Sequence, residues 1–159
     1  MKQGLLVLDS DKEYAKKRIA EIEAEIQALG PEFRAAFTQT SETWHDNAPF
    51  EAVRDQQDRL SAERHQLKQI LLSSLPSIPK QKKTIVGIGS KVSVENKKNG
   101  KISHYYIAGD WTPRAGQTID GSMVVSRKSP IADALFGKKV GDEIKFKTLL
   151  TIIDIDQKL

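Results

Sequence analysis

The stretches YAKKRIAEIEAEIQALGPEFRAAF (residues 14–37) and FEAVRDQQDRLSAERHQLKQIL (residues 50–71) decide the fold. In the first, Ile19, Ile22, Ile26, Leu29 and Phe33 recur at alternating spacings of three and four. In the second, Phe50, Val53, Gln57, Leu60, Arg64, Leu67 and Leu71 follow the same rule, with two polar interruptions. An apolar period of about 3.5 residues makes the narrow seam of a coiled coil rather than the broad face of a globular helix. Each seam needs another to cover it, and the nearest lies in the same chain. The spacing therefore predicts an antiparallel helical hairpin that carries Glu42 to Asp46 at its tip.

Local signals set the ends of the two helices. Asp9, Ser10 and Asp11 offer N-cap oxygens, and Glu13 adds a negative charge to the first turn. Gly30-Pro31 interrupts the first stripe, and an interior proline costs about 3 kcal/mol, so a kink or local break is expected there. Thr38 to Thr43 holds poor helix formers and should be the turn. Asp46 or Asn47 can cap the second helix, with Pro49 in its first turn. Helices of about 25 to 28 residues would give an arm of roughly 40 Å.

Composition narrows the class. At 159 residues there is room for one ordinary domain or two small ones. The chain has no cysteine, which excludes disulfide scaffolds, thiolate metal sites and thiol nucleophiles. No segment has the apolar length of a membrane span, and Met1 to Ser10 lacks a signal-peptide pattern, so a cytoplasmic protein with no membrane contact is expected. Charge is uneven: residues 1–80 carry 11 Lys/Arg against 13 Asp/Glu, and residues 81–159 carry 14 against 8. The basic half suits either nucleic acid or an acidic protein surface, or simply a solvated basic domain. Its lysines are not interleaved with aromatics, so nothing points to direct base reading.

The division that follows is an arm over 1–75, a linker over 76–83 and a compact domain over 84–159. Pro76, Pro79 and nearby lysines mark the linker. Val92 and Val94 alternate with polar residues, Asn99-Gly100 signals a two-residue hairpin, and Ile102 to Ala108 returns. A long loop spans Gly109 to Gly121, and Ser122 to Ser126 is a short strand. Ser129-Pro130 starts a short helix that Gly137 ends. Two more strands, Glu143 to Thr148 and Leu150 to Asp156, complete an antiparallel sheet with one packed helix. The fold class is α+β.

Candidate chemistry concentrates at the tip. Glu42 and Asp46 are four residues apart, and one helical turn would place both carboxylates on one side, where hard oxygen ligands suit Mg²⁺. The plainer alternative makes Asp46 an N-cap and Glu42 a solvated turn residue. His45 could bind a phosphate or move a proton. Trp44 is costly as exposed surface and suggests a partner contact unless it folds back. Gly87-Ile88-Gly89 lacks the features of a phosphate loop, His45, His65 and His104 lack metal spacing, and Ser126 and Ser129 lack a His–Asp pair. On motifs alone this is a binding protein.

Ser129-Pro-Ile-Ala-Asp-Ala-Leu-Phe-Gly-Lys-Lys-Val-Gly-Asp-Glu-Ile144 resembles the C-terminal domain of the Gre family of bacterial transcript-cleavage factors. Val92 to Gly109, with its Tyr-Tyr-Ile-Ala-Gly-Asp ending, is similar to the family's preceding strand pair. Asp46-Asn-Ala-Pro-Phe-Glu-Ala-Val-Arg-Asp-Gln-Gln57 resembles the start of its second arm helix. The resemblance implies a coiled-coil arm followed by an FKBP-like domain, in an accessory factor that is not itself an enzyme, and the intramolecular hairpin predicts a monomer. It implies RNA polymerase as partner, with the arm in the secondary channel close to the transcript 3′ end of the elongation complex. No cofactor would be held stably, and Mg²⁺ would be shared with the polymerase through Asp46 and Glu42. Gly109, Asp110, Ser129 and Pro130 would face the polymerase, and Trp44 and His45 would contact it from the tip.

The tip departs from the family pattern. Cleavage-competent members carry Gly-Asp-x-x-Glu-Asn-Ala; here Asp46 matches the second acid and Thr43 stands at the first. Glu42 would replace the missing acid after a one-residue shift. Two further readings are a Gre-like channel regulator or inhibitor without cleavage activity, and an FKBP-like prolyl isomerase with a dimerising coiled coil. The isomerase needs an aromatic-lined pocket, for which the C-terminal half has few aromatics, and fold does not carry function with it.

Overall fold

A computed structural model describes residues 4–42 and 48–159, with the side chains of residues 33, 36–42, 48 and 49 outside the description. Two long helices, α1 (Asp9–Glu42) and α2 (Ala48–Ser73), precede a six-stranded sheet. The strands are β1 (Ser90–Asn96), β2 (Ile102–Ile107), β3 (Thr118–Ile119), β4 (Ser122–Val125), β5 (Glu143–Phe146) and β6 (Thr148–Gln157). A short helix, α3 (Pro130–Leu135), lies between β4 and β5. The α+β reading and the helical hairpin ahead of the sheet are borne out.

The chain divides into two units, each described by itself. The hairpin unit, Lys12–Ser73, buries Ile22 and Leu29 from α1 and Leu60 and Leu67 from α2. Ile19, Ile26, Val53, Gln57, Arg64 and Leu71 are half-buried beside them, so both stripes lie where their periods placed them. The first stripe begins one residue late: Tyr14 is exposed and Ala15, a heptad before Ile22, is buried. Arg18 fastens the helices with a two-point bond to Glu63, at 2.7 and 3.0 Å, and Lys68 pairs with Glu23 at 3.4 Å.

Helix α1 runs unbroken through Pro31 to Glu42, so the local break at Gly30-Pro31 does not occur and the turn expected over Thr38 to Thr43 is helical as far as Glu42. Helix continues through Thr38, Thr40 and Ser41 despite their poor intrinsic preference, since extending a helix already formed upstream costs far less than starting one. Pro49 sits in the first turn of α2, as expected. Thr43, Trp44, His45, Asp46 and Asn47 lie outside the described residues, as do the side chains of Glu42, Phe33 and Phe37.

The other unit comprises Ser74–Leu159 and the N-terminal segment through Asp11, which sequence reading assigned to the arm. Residues 4–8 read Gly-Leu-Leu-Val-Leu, an apolar run that the seam cannot use. Val7 and Leu8 are buried, and Leu8 joins Ile88, Ala108 and Val124 in a cluster that Leu6, Ile78, Tyr106, Ile119 and Phe136 complete. Ile78 belongs to the segment read as a linker, so that segment is packed at this point. Leu75 N–H donates to the Leu5 carbonyl at 2.8 Å beside the parallel Leu5–Ser74 bridge.

A second cluster collects Val92, Val94, Ile107, Val125, Ile144 and Ile152 with Ile131, Ala132 and Leu135 of α3. Adjacent residues of one strand, Ile107 and Ala108 or Val124 and Val125, fall in different clusters, so the sheet buries apolar groups on both faces.

The strand order is β3-β4-β2-β1-β6-β5, and β2 pairs with β4 in parallel, so the sheet is mixed rather than antiparallel. A parallel neighbour requires a crossover of about a dozen residues or more. The segment read as one long loop over 109–121 supplies it and holds β3 besides. Asp120 and Gly121 have φ of 51° and 79° and join β3 to β4 as a two-residue turn. At Asn99-Gly100 only Gly100 has positive φ, and Asn96 N–H bonds the Lys101 carbonyl across a four-residue loop.

Candidate partner-docking site

Two of the segments picked from sequence, Gly109-Asp110 and Ser129-Pro130, come together beside Ser126. Its hydroxyl lies 3.4 Å from the Gly109 carbonyl and 3.2 Å from that of Asp110. Arg127 N–H donates to the Gly109 carbonyl at 3.0 Å, and Ser129 N–H donates to the Ser126 carbonyl at 2.9 Å. Ser129 then caps α3, its hydroxyl accepting from Ala132 N–H at 3.3 Å, with Pro130 as the first helical residue. Proline suits that position because its missing donor has no intrahelical partner there. Ser126 and Arg127 thus tie the turn to the loop, with Gly109 buried beneath and Pro130 exposed.

Gly109 and Asp110 also have an internal role that their sequence does not announce. Asp110 N–H donates to the Leu6 carbonyl at 2.6 Å, and its carboxylate accepts from Leu6 N–H at 2.8 Å. One aspartate thus satisfies both backbone groups of Leu6, as a neighbouring strand would. A Cβ on residue 109 would strike the Leu6 carbonyl, so glycine is required by close approach.

Sequence reading missed three residues here. Ser126 was considered only as a nucleophile, whereas it ties the loop to the turn. The Arg127 guanidinium stacks over the Phe136 ring, 4.3 Å from its centroid. Arg114, in the crossover, donates from Nε to the Asp11 carboxylate at 3.0 Å and from a terminal nitrogen to the Ser10 hydroxyl at 3.1 Å. Ser10 and Asp11, read as helix caps, lie inside the first turn of α1, which starts at Asp9, and their oxygens serve a residue more than a hundred positions away. No short-range pattern reports such a pair.

Asp11 is fully buried. Burial pushes its carboxyl above the ordinary value of 3.8, and the Arg114 charge opposes this without cancelling it. The same burial raises the Tyr106 phenol, which lies in the field of both groups. Among the described residues no set of three or more His, Asp or Glu side chains could hold a metal ion. No helix of the described residues is long and apolar enough to cross a membrane.

Residues 80–156 match the family model for the C-terminal domain of the transcription elongation factors GreA and GreB. Over that segment the chain is similar to the Gre family. It is 28% identical over 116 residues to the transcription elongation factor GreA of Mesomycoplasma hyopneumoniae, covering 71% of this chain and 63% of that protein. It is 28% identical over 104 residues to GreA of Syntrophus aciditrophicus, with 65% and 62% covered. The transcription inhibitor protein Gfh1 of Thermus thermophilus is 27% identical over 104 residues, with 65% and 64% covered. The match thus spans less than two thirds of the length of these relatives. Among solved structures, Gfh1 of Thermus thermophilus aligns with a TM-score of 0.41 at 19% identity, over 96% of this chain and 98% of that one. The GreA/GreB factor of Nitrosomonas europaea aligns with a TM-score of 0.39 at 19% identity, over 58% and 78%.

Proposed function

We propose that this chain is a Gre-type accessory factor of bacterial RNA polymerase and not itself an enzyme. Its C-terminal unit docks through the surface around Gly109-Asp110 and Ser129-Pro130, and the hairpin enters the secondary channel with Trp44 and His45 against the channel wall. The observation that carries this reading is the family match over residues 80–156, in a chain whose N-terminal half is a two-helix hairpin that buries Ala15, Ile22, Leu29, Leu60 and Leu67. A seam without a broad apolar face suits a slender element whose outer surface stays polar.

The chemistry belongs to the tip. Asp46 and Glu42 are hard oxygen donors of the kind Mg²⁺ prefers, and two carboxylates leave most of an octahedron to ligands from the polymerase and water. The bound ion would supply Lewis acidity and a lowered water pKa for phosphodiester hydrolysis. The carboxylates' own part is negative charge delivered close to the transcript 3′ end. In this reading the factor promotes cleavage of backtracked transcripts.

Thr43 favours a second reading. It stands where a cleavage-competent tip has an acid, and one relative is named a transcription inhibitor. A chain lacking that ligand would occupy the channel without completing the site. The deciding measurement is cleavage of a defined backtracked transcript with and without the protein. Faster cleavage, abolished by Asp46→Ala with polymerase binding intact, supports the first reading. Slower cleavage, unaffected by that substitution, supports the second, and absence of polymerase binding removes both.

A further inference from the structure

One end of the C-terminal sheet is rich in lysine. The β1–β2 loop carries Lys97, Lys98 and Lys101, and the β5–β6 turn carries Lys147 with Lys145 just before it. The two connections are neighbours, since Lys97 N–H donates to the Leu149 carbonyl at 3.0 Å and Leu149 is the register partner of Lys145. Strands about 4.8 Å apart therefore set Lys97 and Lys145 roughly 10 Å from one another. All of these lysines are exposed, and among the described residues none of their ammonium groups is in an ion pair. Glu95 and Glu143 lie on the adjoining strand positions and offset only part of the charge.

The backbone holds these cations in place. Asn96 Oδ1 accepts from Lys98 N–H at 2.9 Å, Asn99 Oδ1 accepts from Lys101 N–H at 2.9 Å, and Gly100 N–H donates to the Asn96 carbonyl at 2.7 Å. Lys147 has φ of 60°, a conformation that glycine or asparagine adopts with less strain. Crowded like charges repel, and folding alone does not reward a strained turn that adds one more.

We propose that this end of the sheet binds the phosphate backbone of a nucleic acid duplex without reading its sequence. Lysines suit phosphates as point charges on mobile stems. Phe146, the aromatic between Lys145 and Lys147, packs against the core that α3 covers, so it offers no free platform for the bases of a single strand. The exposed apolar side chains nearby, Ile102 and Leu149, stand on β2 and β6 with β1 and its Glu95 between them. The surface therefore lacks the apolar centre around which a protein interface is built. The lysines sit where β2 begins, whereas Gly109-Asp110 and Ser129-Pro130 lie past the point where the parallel strands β2 and β4 finish. The six residues of β2, about 20 Å, separate the two surfaces, so one is free while the other is engaged.

The test is fluorescence anisotropy of a labelled DNA duplex of about 20 base pairs, titrated with the full chain and no polymerase. Leaving the polymerase out keeps a failure here distinct from a failure of the docking reading. Binding at roughly 1–100 µM is expected at about 50 mM salt, falling with about the fourth to fifth power of salt concentration. Replacing Lys97, Lys98 and Lys101 together by glutamine should lower that power by about three and weaken binding more than about tenfold. Lys147→Gly relieves the turn, so it should weaken binding several-fold while melting no lower than the parent. It is the readout if the triple variant folds poorly. Lys80→Gln with Lys83→Gln, beside Gln157 and Leu159 at the other end of the sheet, should change affinity less than about twofold. An RNA duplex titrated alongside tells which backbone is preferred, and tight binding of either supports the proposal. A triple variant that binds like the parent overturns it, as does a single strand bound more tightly than the duplex. Capture of polyglutamate without capture of either duplex overturns it in favour of an acidic protein partner.

Discussion

The hairpin holds Ala15, Ile22, Leu29, Leu60 and Leu67 along one seam, whereas the C-terminal unit packs apolar groups on both faces of a six-stranded sheet. The seam is narrow, and exposed residues such as Lys17, Glu21, Gln56, Asp58 and Gln66 lie along its flanks. The sheet has α3 against one face and the N-terminal segment with Ile78 against the other. The difference is one of redundancy. A missing methyl group in the sheet leaves a hole that neighbours on several elements cannot close, while the same loss in the seam borders side chains free to shift.

The sharpest challenge to that contrast is Ile152→Ala. This residue is fully buried between strand neighbours and α3, so its loss should cost in the upper part of the roughly 2–5 kcal/mol range for such truncations, read by urea denaturation. A cost near 1 kcal/mol would mean that the sheet core is no better packed than the seam. Leu67→Ala comes next and should cost roughly 2–3 kcal/mol, at the low end of the same range. Its loss should appear as faster amide exchange along α1 and α2 with the sheet unchanged. Equal acceleration in both units would make them one cooperative body and end the comparison. Smaller again is Gly121→Ala, about 1 kcal/mol, because φ of 79° strains any side chain although the space is open.

How much of each region could be read from the sequence follows from the range of its contacts. The seam repeats every seven residues, so Ile19, Ile22, Ile26, Leu29, Leu60 and Leu67 announce themselves, and the Ser129-Pro130 cap is complete within four residues. The crossover contacts are not local. Parallel pairing of β2 with β4, the Leu6–Asp110 exchange and the Ser10–Asp11–Arg114 cluster each join distant segments, and nothing in the spacing encodes them. Turn chemistry was legible but was read at only one site. Asp120-Gly121 carries the same signal as Asn99-Gly100 and makes the two-residue turn, while Asn99-Gly100 closes a longer loop because Asn96 and Lys101 pair first. The apolar run at residues 4–8 was equally visible, and its place in the sheet core follows once the seam is seen to have no room for it.

The smallest effect tests whether charge separates the two units as packing does. Arg18–Glu63 is a two-point ion pair of the hairpin, yet both side chains keep part of their exposure, so a double-mutant cycle should return about 0.2–1 kcal/mol. Its pH dependence should run opposite to that of Asp11. The Arg18 guanidinium holds Glu63 below the ordinary 4.5, so its contribution is complete above that value and is lost as pH falls through the lowered one. Asp11 is raised, so the folded chain takes up its proton first. Its contribution to stability is present below 3.8 and is lost as pH rises through the raised value. Denaturation of Glu63→Gln and Asp11→Asn between pH 3 and 7 separates the two, since each variant should flatten one limb of the parental profile. If both flatten the acid-side loss, Asp11 behaves as an exposed carboxylate and the argument that burial sets its charge is wrong.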